Sequence, residues 1–550
     1  MLLTSATLLI PLLGLLPTAL GKLRTCRARD LPALNVFGLE ITNITATEHR
    51  AYTAWSPFPL MPARHQPIDF CNITLTYTHP GQHDTIHIYL WLPLRAESWN
   101  GRFLAQGGGG WAAGFDAALA PSVALGYAAA ITDAGHPLHG SVAQMADART
   151  WLLASPGNLN WPLLQNFAAR ALDDLPKVAK QVVWGFYGEP ARFAYWHGCS
   201  TGGRQGLMAA QRFPGHYDGI LAAAPAINWA TFVVAELWPH IVMRKVGYYP
   251  PHCEFEAIRR AAIEACDGLD GVVDGVIAAP GLCAFDATSI VGQTFDCGGA
   301  ARRILAQAAE VANAVWAGPS KDGRSAWYGL PHETPFSVRG PYGPPTGLAT
   351  TTCDENNENC KGVPFIISES WIRDVLRRGQ AIDLTAMDEE EFWHTLRRSV
   401  NEFASVISTD DADLSEFKAA GGKMITWHGM ADQLIPINGT SDYYDRVLAL
   451  DPAAADHYRY FEAPGVQHCL GGPGAAPTAP LEALVQWVEQ GVAPATLDAA
   501  TVPTGEGGAR RHRPLCAYPL VAAYVGGDVG EAGSYECAAS FEVRPRHTEL

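Results

Sequence analysis

The chain has 550 residues, of which 39 are Lys or Arg and 55 are Asp or Glu, so its formal net charge is −16. This acidic balance excludes a typical nucleic-acid binder, which needs a basic face, and the chain has no polybasic run to hold it at an anionic membrane. Hydrophobic residues make up 48% of the sequence, which is enough for a substantial core. We expect a globular protein with neither nucleic acid nor membrane as a partner.

The N-terminal residues favour export. Residues 1–21 carry no charge, and Ala19-Leu20-Gly21 has the small-x-small form of a cleavage site. The sequence therefore predicts a signal peptide over residues 1–21 and a secreted, extracellular protein. An uncleaved membrane anchor is the alternative, which the helix interruptions at Pro11, Gly14 and Pro17 disfavour.

The cysteines and glycosylation sequons agree with secretion. Six of the twelve cysteines lie in the central region and six outside it, and both counts are even, as a closed set of disulfides requires. No spacing among them suggests a zinc site. Three Asn-x-Thr sequons predict glycosylation at Asn43, Asn72 and Asn438.

The first part of the mature chain is predicted to be irregular and then to alternate between strands and helices. We interpret the segment from Cys26 to Cys71 as irregular and tied to the core by a Cys26–Cys71 disulfide. The β-branched and aromatic runs that follow predict strands, and an amphipathic pattern predicts a long helix. These elements are the strands His87–Pro93, Arg102–Gln106 and Gly126–Thr132 and the helix Trp161–Val183.

The stretch Gly198-Cys199-Ser200-Thr201-Gly202 has the form G-x-S-x-G. A predicted strand, Ala191–His197, precedes it, and a predicted helix, Gly203–Phe213, follows it. A serine on a sharp turn between strand and helix is typical of the nucleophile elbow of α/β-hydrolases. A tight structural turn without catalytic role is the alternative.

Four consecutive glycines, Gly107 to Gly110, follow the predicted strand Arg102–Gln106. Backbone without Cβ atoms lets a ligand approach its N–H groups closely. In α/β-hydrolases such a loop supplies one oxyanion donor, and the residue after the nucleophile supplies another. We therefore predict an oxyanion hole from Thr201 together with Gly108 and Gly109. A flexible turn is the alternative interpretation of the glycines.

The strand–helix alternation stops after a predicted strand at Asp218–Ala224 and returns at a predicted strand at Lys423–His428. Strands that alternate with helices indicate a parallel sheet. The fold class is thus predicted as α/β, an α/β-hydrolase fold with a large inserted lid domain. Its catalytic domain spans residues 22–228 and 422–550, and its lid spans residues 229–421. The last elements predicted are the helix Ser441–Leu450, the strand His457–Phe461 and the helix Leu481–Gln490.

A nucleophilic serine needs a base, and the base needs an orienting carboxylate, which in this fold follow in the order Ser, Asp or Glu, His. Asp432 follows the strand Lys423–His428, and His468 follows the strand His457–Phe461. Catalytic groups gather at the carboxyl ends of parallel strands. We predict a triad of Ser200, Asp432 and His468. A solvated turn residue and a surface histidine are the alternatives for Asp432 and His468.

Two cysteines flank the predicted triad. Cys199 directly precedes Ser200, and Cys469 directly follows His468. A disulfide holds two Cα atoms about 5.5 Å apart, so a Cys199–Cys469 disulfide would clamp Ser200 against His468. We also predict disulfides at Cys266, Cys283, Cys516 and Cys537, and the pairing of Cys253, Cys297, Cys353 and Cys360 stays open.

The arrangement Cys199-Ser200, Asp432 and His468-Cys469 resembles that of the tannase and feruloyl esterase family. The stretch from Gly198 to Gly206, GCSTGGRQG, is also similar to the nucleophile segment of that family. The resemblance covers most of the mature chain, and bacterial terephthalate mono-ester hydrolases share the architecture. It implies a secreted serine esterase acting on esters of phenolic acids.

The predicted lid contains Asp and Gly at short steps, in the sequence CDGLDGVVDGV from Cys266 to Val276. The carboxylates of Asp267, Asp270 and Asp274 with the carbonyls of Val272 and Val276 would make an oxygen-rich site suited to Ca²⁺. A turn without metal is the alternative from the spacing alone. The resemblance implies a structural calcium at this place.

These features together predict an enzyme in which Ser200 attacks an ester, His468 is the base and Asp432 orients it. The resemblance favours a feruloyl esterase acting on small phenolic esters or feruloylated plant cell-wall polysaccharides such as xylan, with a tannase cleaving gallate esters as the alternative. A catalytically inactive secreted binding protein is a further alternative. No organic cofactor is expected, and the chain is expected to be a monomer or a homodimer.

Overall fold

The computed structural model describes residues 25–53, 67–136, 146, 148–338, 345–502 and 509–541. A mixed sheet of nine strands forms its centre, in the order β1-β2-β3-β5-β4-β6-β7-β8-β9. The strands are β1 Glu40–Tyr52, β2 Ile68–Thr78, β3 Ile86–Pro93, β4 Arg102–Gln106, β5 Ala128–Thr132, β6 Phe193–Cys199, β7 Gly219–Ala223, β8 Lys423–Gly429 and β9 Tyr458–Ala463.

The six strands from β5 to β9 in this order run parallel, whereas β1, β2, β3 and β5 pair antiparallel. The parallel strands are short and buried, as expected of strands with helices on both faces. Their carboxyl ends meet at one edge of the sheet, where β6, β8 and β9 lead into Ser200, Asp432 and His468. The α/β fold class is therefore confirmed, with a sheet that is parallel only in part.

The prediction of an irregular segment from Cys26 to Cys71 was wrong for β1 and β2. These strands pair over most of their length, and one face of β2 is buried through Ile73, Leu75 and Tyr77. β1 lies at the sheet edge with little burial, and its register shifts after Ile41, so its apolar residues do not alternate regularly. The predicted Cys26–Cys71 disulfide is present, with 5.4 Å between the Cα atoms.

Helices cover both faces of the sheet and build the lid. The predicted helix from Trp161 to Val183 forms as a short α-helix, one π-helical turn and a longer α-helix that ends at Gly188 with φ +78°. The α-helices of the described residues are Leu119–Ala124, Arg149–Leu152, Trp161–Gln165, Ala171–Tyr187, Thr201–Arg212, Trp229–Ala235, Trp238–Val246, His252–Cys266, Ala306–Ala317, Ile366–Ser370, Glu389–Ile407, Ser415–Ala419, Asn438–Leu450 and Pro480–Gln490.

The segment between β7 and β8 holds helices and short two-stranded pairs and contributes no strand to the central sheet in the parts described. Its core is continuous with a cluster of aromatic residues from the catalytic part of the chain. Trp229 and Trp371 of this segment pack against Trp111, with ring centroids 5.4 and 6.1 Å away. These buried aromatic contacts therefore anchor the segment between β7 and β8 to the loop after β4, which holds Trp111.

Six disulfides use all twelve cysteines. Four of them join residues that the sequence analysis placed in disulfides, and two join the cysteines whose pairing it left open. The pairs are Cys26–Cys71, Cys199–Cys469, Cys266–Cys283 and Cys516–Cys537, and then Cys253–Cys297 and Cys353–Cys360. Six disulfides are typical of a protein in an oxidising environment. The predicted signal peptide, residues 1–21, lies outside the described residues, and none of the described helices is long and apolar enough to cross a membrane.

Candidate active site

Ser200 sits on a sharp turn between β6 and the helix Thr201–Arg212, with φ 64° and ψ −123°. A non-glycine residue with positive φ costs energy that its surroundings must offset, of order 1–3 kcal/mol. Here the Ser200 N–H donates to the Ala223 carbonyl at 3.0 Å, and the Ser200 carbonyl accepts from Ala226 at 3.2 Å. β7 and the residues after it thus hold Ser200 in this conformation.

The glycines around Ser200 are needed because backbone segments touch there. A Cβ on Gly198 would lie 2.5 Å from the Gly202 carbonyl carbon, and a Cβ on Gly202 would lie 2.9 Å from the Gly108 oxygen. The Gly202 N–H donates to that same Gly108 oxygen at 3.0 Å. The elbow and the glycine-rich loop are therefore packed directly against each other, as the G-x-S-x-G pattern predicts.

The structure differs from the sequence prediction in the oxyanion loop. The Gly108 N–H donates to the Gln205 side chain at 3.0 Å, and the Gly109 N–H donates to the Ala112 carbonyl at 3.1 Å, so both are already engaged. In the described part of the chain, the N–H groups of Thr201 and Gly110 have no acceptor. The Thr201 hydroxyl donates to the Gly110 carbonyl at 2.7 Å and sets the two residues side by side.

Asp432 and His468 lie in contact at the carboxyl ends of β8 and β9. Nδ1 of His468 donates to Oδ2 of Asp432 at 2.7 Å. The other carboxylate oxygen, Oδ1, accepts the N–H groups of Leu434 and Ile435 at 2.8 and 2.9 Å. These contacts fix the imidazole in the tautomer that leaves Nε2 free to accept a proton.

Sequence reasoning missed a second histidine on the same carboxylate. His428, fully buried at the end of β8, donates from Nε2 to Asp432 Oδ2 at 3.0 Å, and its Nδ1 lies 2.9 Å from the Thr440 hydroxyl. Burial alone would raise the pKa of Asp432, but the charge of His468 and the hydrogen bonds from both histidines outweigh it and hold that pKa well below its usual range. The spacing His428-Gly-x-x-Asp432 at a strand end is the signal that could have found it.

A disulfide joins the residues next to the nucleophile and the base. Cys199 and Cys469 are bonded, with 6.0 Å between their Cα atoms. No hydrogen bond joins Ser200 Oγ to His468 Nε2 in this conformation, although both side chains line one cavity. Such contacts are often long in an enzyme without substrate and shorten when substrate binds. The disulfide limits how far Ser200 and His468 can separate.

The cavity has a volume of about 370 Å³ and lies between the sheet edge and the lid. Most of the lid side chains that line it are apolar, which suits an aromatic ligand. They are Trp229, Phe232, Val233, Glu236, Thr346, Phe365, Ile366 and Ile367. The cavity can bind a flat apolar group beside Ser200.

The comparison with protein families agrees with this geometry. A family described as "Tannase and feruloyl esterase" matches residues 71–538. The chain belongs to the tannase and feruloyl esterase family. It is therefore a carboxylic ester hydrolase.

Individual relatives of this esterase cover most of its length. It is 40% identical over 512 residues to a protein named "Probable feruloyl esterase" from Arthroderma benhamiae, with 92% of each chain covered. It is 30% identical to the mono(2-hydroxyethyl) terephthalate hydrolase of Piscinibacter sakaiensis, with 80% of each chain covered. Among solved structures it resembles the tannin acyl hydrolase of Aspergillus niger, with a TM-score of 0.82, 28% identity and 93% of each chain covered.

A buried glutamate of this esterase connects the lid to the loop that carries the base. Glu333 is 4% exposed. One of its carboxyl oxygens accepts the Gly465 N–H at 3.1 Å, and the other accepts the Ile277 N–H at 2.9 Å. Burial raises the pKa of Glu333 to about 7, against the two backbone hydrogen bonds that lower it. Nothing in the sequence around Glu333 indicates this role, because both partners are distant backbone amides.

Because the pKa of Glu333 is higher in the folded chain than in the unfolded chain, this group stabilises the fold most at low pH. Its contribution is complete below about pH 4.5 and is lost as the pH rises to about 7. We expect Glu333→Gln to be destabilised more at pH 4.5 than at pH 7.5, relative to wild type. Thermal melting of both proteins at the two pH values measures this. The exposed control Glu482→Gln should show no such difference between the two pH values. If the melting temperatures of Glu333→Gln and wild type differ by the same amount at both pH values, the raised pKa of Glu333 is contradicted.

The acidic loop of the lid does not present three free carboxylates. Asp267 accepts the N–H groups of Asp274, Gly275 and Val276. Arg513 donates to Asp270 at 2.9 Å and lies 3.8 Å from Asp274. No group of three or more His, Cys, Asp or Glu side chains able to hold a metal occurs among the described residues.

In this arrangement the carboxylates of Asp267 and Asp270 already have partners within the chain. One observation favours a cation nevertheless, since Asp274 Oδ1 is buried without a hydrogen-bond partner among the described residues. The carbonyls of Val272 and Val276 lie in the same loop.

Two of the predicted glycosylation sites are accessible. Asn43 lies exposed on β1, and Asn438 is exposed at the start of the helix Asn438–Leu450. Asn72 on β2 is half-buried, and its Oδ1 atom is buried. Glycosylation at Asn43 and Asn438 stays a prediction that this surface permits.

Proposed function

We propose that this protein is a secreted feruloyl esterase that hydrolyses hydroxycinnamoyl esters, including those of plant cell-wall polysaccharides, by way of an acyl-enzyme on Ser200. The observation that carries the proposal is the Cys199–Cys469 disulfide, which holds Ser200 beside an Asp432-bound His468 at an apolar cavity. The relative named "Probable feruloyl esterase" at 40% identity favours this acyl group.

In the proposed mechanism, Ser200 Oγ attacks the ester carbonyl while His468 Nε2 takes its proton. The negative oxygen that forms is stabilised by the N–H groups of Thr201 and Gly110. Thr201 is the donor that the sequence predicted, and Gly110 takes the place of the predicted Gly108 and Gly109. His468 then gives the proton to the leaving alcohol as the carbon–oxygen bond breaks. Water then attacks the acyl-enzyme while the same His468 takes its proton. That proton passes to Ser200 Oγ as the acyl–oxygen bond breaks and the phenolic acid leaves.

A tannase acting on gallate esters is the second candidate. A galloyl ring carries three hydroxyls, each of which needs a polar partner when buried. The lid offers the cavity mainly apolar side chains, and its polar ones are Glu236 and Thr346 among the residues described. This lining favours a hydroxycinnamoyl group with fewer hydroxyls.

A hydrolysis panel tests the proposal. We expect kcat/KM to be higher for methyl ferulate, methyl caffeate and methyl p-coumarate than for methyl gallate. A preference for methyl gallate would assign the protein as a tannase. Inertness toward all four and toward p-nitrophenyl acetate would favour the inactive binding protein.

Calcium binding in the acidic loop remains a proposal for this enzyme, supported by five oxygen ligands at the predicted spacing and by the unpartnered Asp274 oxygen. We expect EGTA to lower the melting temperature and added Ca²⁺ to restore it, because a ligand that binds only the folded state stabilises it. Activity at low temperature should fall less than stability.

The calcium test has two matched variants. Asp270→Ala should remove the effect of Ca²⁺ on the melting temperature, and exposed Asp498→Ala should keep it. Melting curves of wild type that respond to neither EGTA nor Ca²⁺ would contradict calcium binding in this loop.

A further inference from the structure

The helix Trp229–Ala235 of the lid turns one face toward the cavity. Trp229, Phe232, Val233 and Glu236 all line it. These positions are spaced i, i+3, i+4 and i+7, which is the spacing of a single helix face. The Glu236 N–H donates to the Phe232 carbonyl at 2.8 Å, so the helical turn continues through Glu236. Three members of this face are apolar, and the fourth is a carboxyl group.

The Glu236 side chain is buried without a partner. It is 3% exposed, and its Oε2 atom has no hydrogen-bond partner among the described residues. Burial, together with the negative charge of Asp432, raises the pKa of Glu236 well above its usual range. Burial thus favours the neutral form of the carboxyl group, which both donates and accepts a hydrogen bond.

Packing does not explain a carboxyl group at this place. An apolar side chain of similar size, such as Leu or Met, would fill the same space without an unsatisfied polar atom. The neighbouring positions on this helix face, Phe232 and Val233, are filled in that way. A buried polar group on an otherwise apolar helix face that lines a cavity is instead typical of a site that orients a ligand.

We propose that Glu236 recognises a phenolic hydroxyl on the acyl group of the substrate and thereby sets the preference of the enzyme for hydroxylated cinnamoyl esters. This inference rests on the proposed function. A phenol, like a neutral carboxyl group, donates one hydrogen bond and accepts another, so the two groups satisfy each other. An unsubstituted cinnamoyl ring leaves the Glu236 carboxyl without a partner when it displaces water from the cavity.

The test compares two esters that differ by one hydroxyl, methyl p-coumarate and methyl cinnamate. The ratio of their kcat/KM values is measured for wild type, Glu236→Leu, Glu236→Gln and Val233→Ala. We expect Glu236→Leu to lower the ratio at least about tenfold, because a site that hydrogen-bonds a hydroxyl discriminates strongly against its absence. Glu236→Gln, whose amide still donates and accepts, should keep most of the ratio. Val233→Ala, which reshapes the same helix face, should change both rates alike.

The melting temperature separates recognition from a structural role. Because Glu236→Leu removes a buried carboxyl group whose Oε2 atom has no partner, its melting temperature should equal or exceed that of wild type. If the leucine variant does not fold, Glu236→Met is used in its place. If the folded Glu236→Leu or Glu236→Met variant keeps a ratio of kcat/KM values within about threefold of the wild-type ratio, the inference about Glu236 is wrong and the proposed function still stands. A wild-type enzyme inactive on both esters would overturn the proposed function, and this inference with it.

Discussion

Replacing Ser200 by alanine is expected to leave the protein folded and to lower kcat for methyl ferulate on the order of 10⁴-fold or more, because the only proposed nucleophile is lost. The substitution removes one oxygen atom from a half-buried side chain that makes no hydrogen bond within the described chain. The melting temperature should therefore stay close to that of wild type. Steady-state kinetics and thermal melting of the same preparation measure both quantities.

The control for this substitution is Ser320→Ala, a serine exposed on the lid and far from the cavity lining. It should keep the kcat of wild type. A Ser200→Ala protein that hydrolyses methyl ferulate at the wild-type rate would refute the assignment of Ser200. A Ser200→Ala protein that melts far below wild type would show that the strained turn needs the hydroxyl for folding.

Replacing Cys199 and Cys469 together by alanine is expected to give a folded enzyme with kcat reduced roughly 100-fold and a smaller change in KM. A displacement of about 1 Å between base and nucleophile costs about this much in rate. Cys469, one of the two bridged residues, has φ 62°, a conformation that costs energy and that the bridge helps to hold. The bridge closes a sequence separation of 270 residues, for which chain entropy predicts a stabilisation of about 5.6 kcal/mol.

The matched control removes a different bridge. The Cys353–Cys360 disulfide spans a sequence separation of 7 residues in the lid, and neither cysteine lines the cavity. Replacing both by alanine should lower the melting temperature less than replacing Cys199 and Cys469 does, and it should leave kcat close to that of wild type. A Cys199–Cys469 double variant with the kcat of this control would show that the bridge serves stability alone. Peptide mapping under non-reducing conditions checks the pairing first.

The parts of the fold that could be predicted are those with a strong local pattern. The parallel strands β6 to β9 are short apolar runs that end in turn residues, and helices follow most of them, so their existence and order followed from the sequence. β2 does carry such a pattern, because Ile73, Leu75 and Tyr77 alternate with polar residues, and the sequence analysis overlooked it. β1 could not be found in this way. β1 is an exposed edge strand with a register shift, and its residues carry almost no alternation between apolar and polar types.

The residues of the candidate active site likewise fall into those that a local sequence pattern predicts and those that it does not. The triad could be predicted because G-x-S-x-G, strand ends and paired cysteines are local signals, and it stays a prediction. His428 and Glu333 were missed because their roles depend on contacts made only after folding, with the Asp432 carboxylate and with the backbone of residues 277 and 465. The oxyanion hole stays a prediction, but the structure engages the N–H groups of Gly108 and Gly109 that were predicted as its donors. Which N–H remains free depends on Gln205 and Ala112, whose contacts no spacing rule gives.

The most direct test of the account is covalent labelling with a fluorophosphonate, which reacts with serine nucleophiles activated by a base. The protein is inactivated with the reagent, digested and mapped by mass spectrometry, while hydrolysis of methyl ferulate is followed in parallel. The account predicts one adduct per chain on Ser200, formed in step with the loss of activity and absent from the Ser200→Ala protein. Full inactivation with the adduct on another residue, or full activity after Ser200 is labelled, would contradict it.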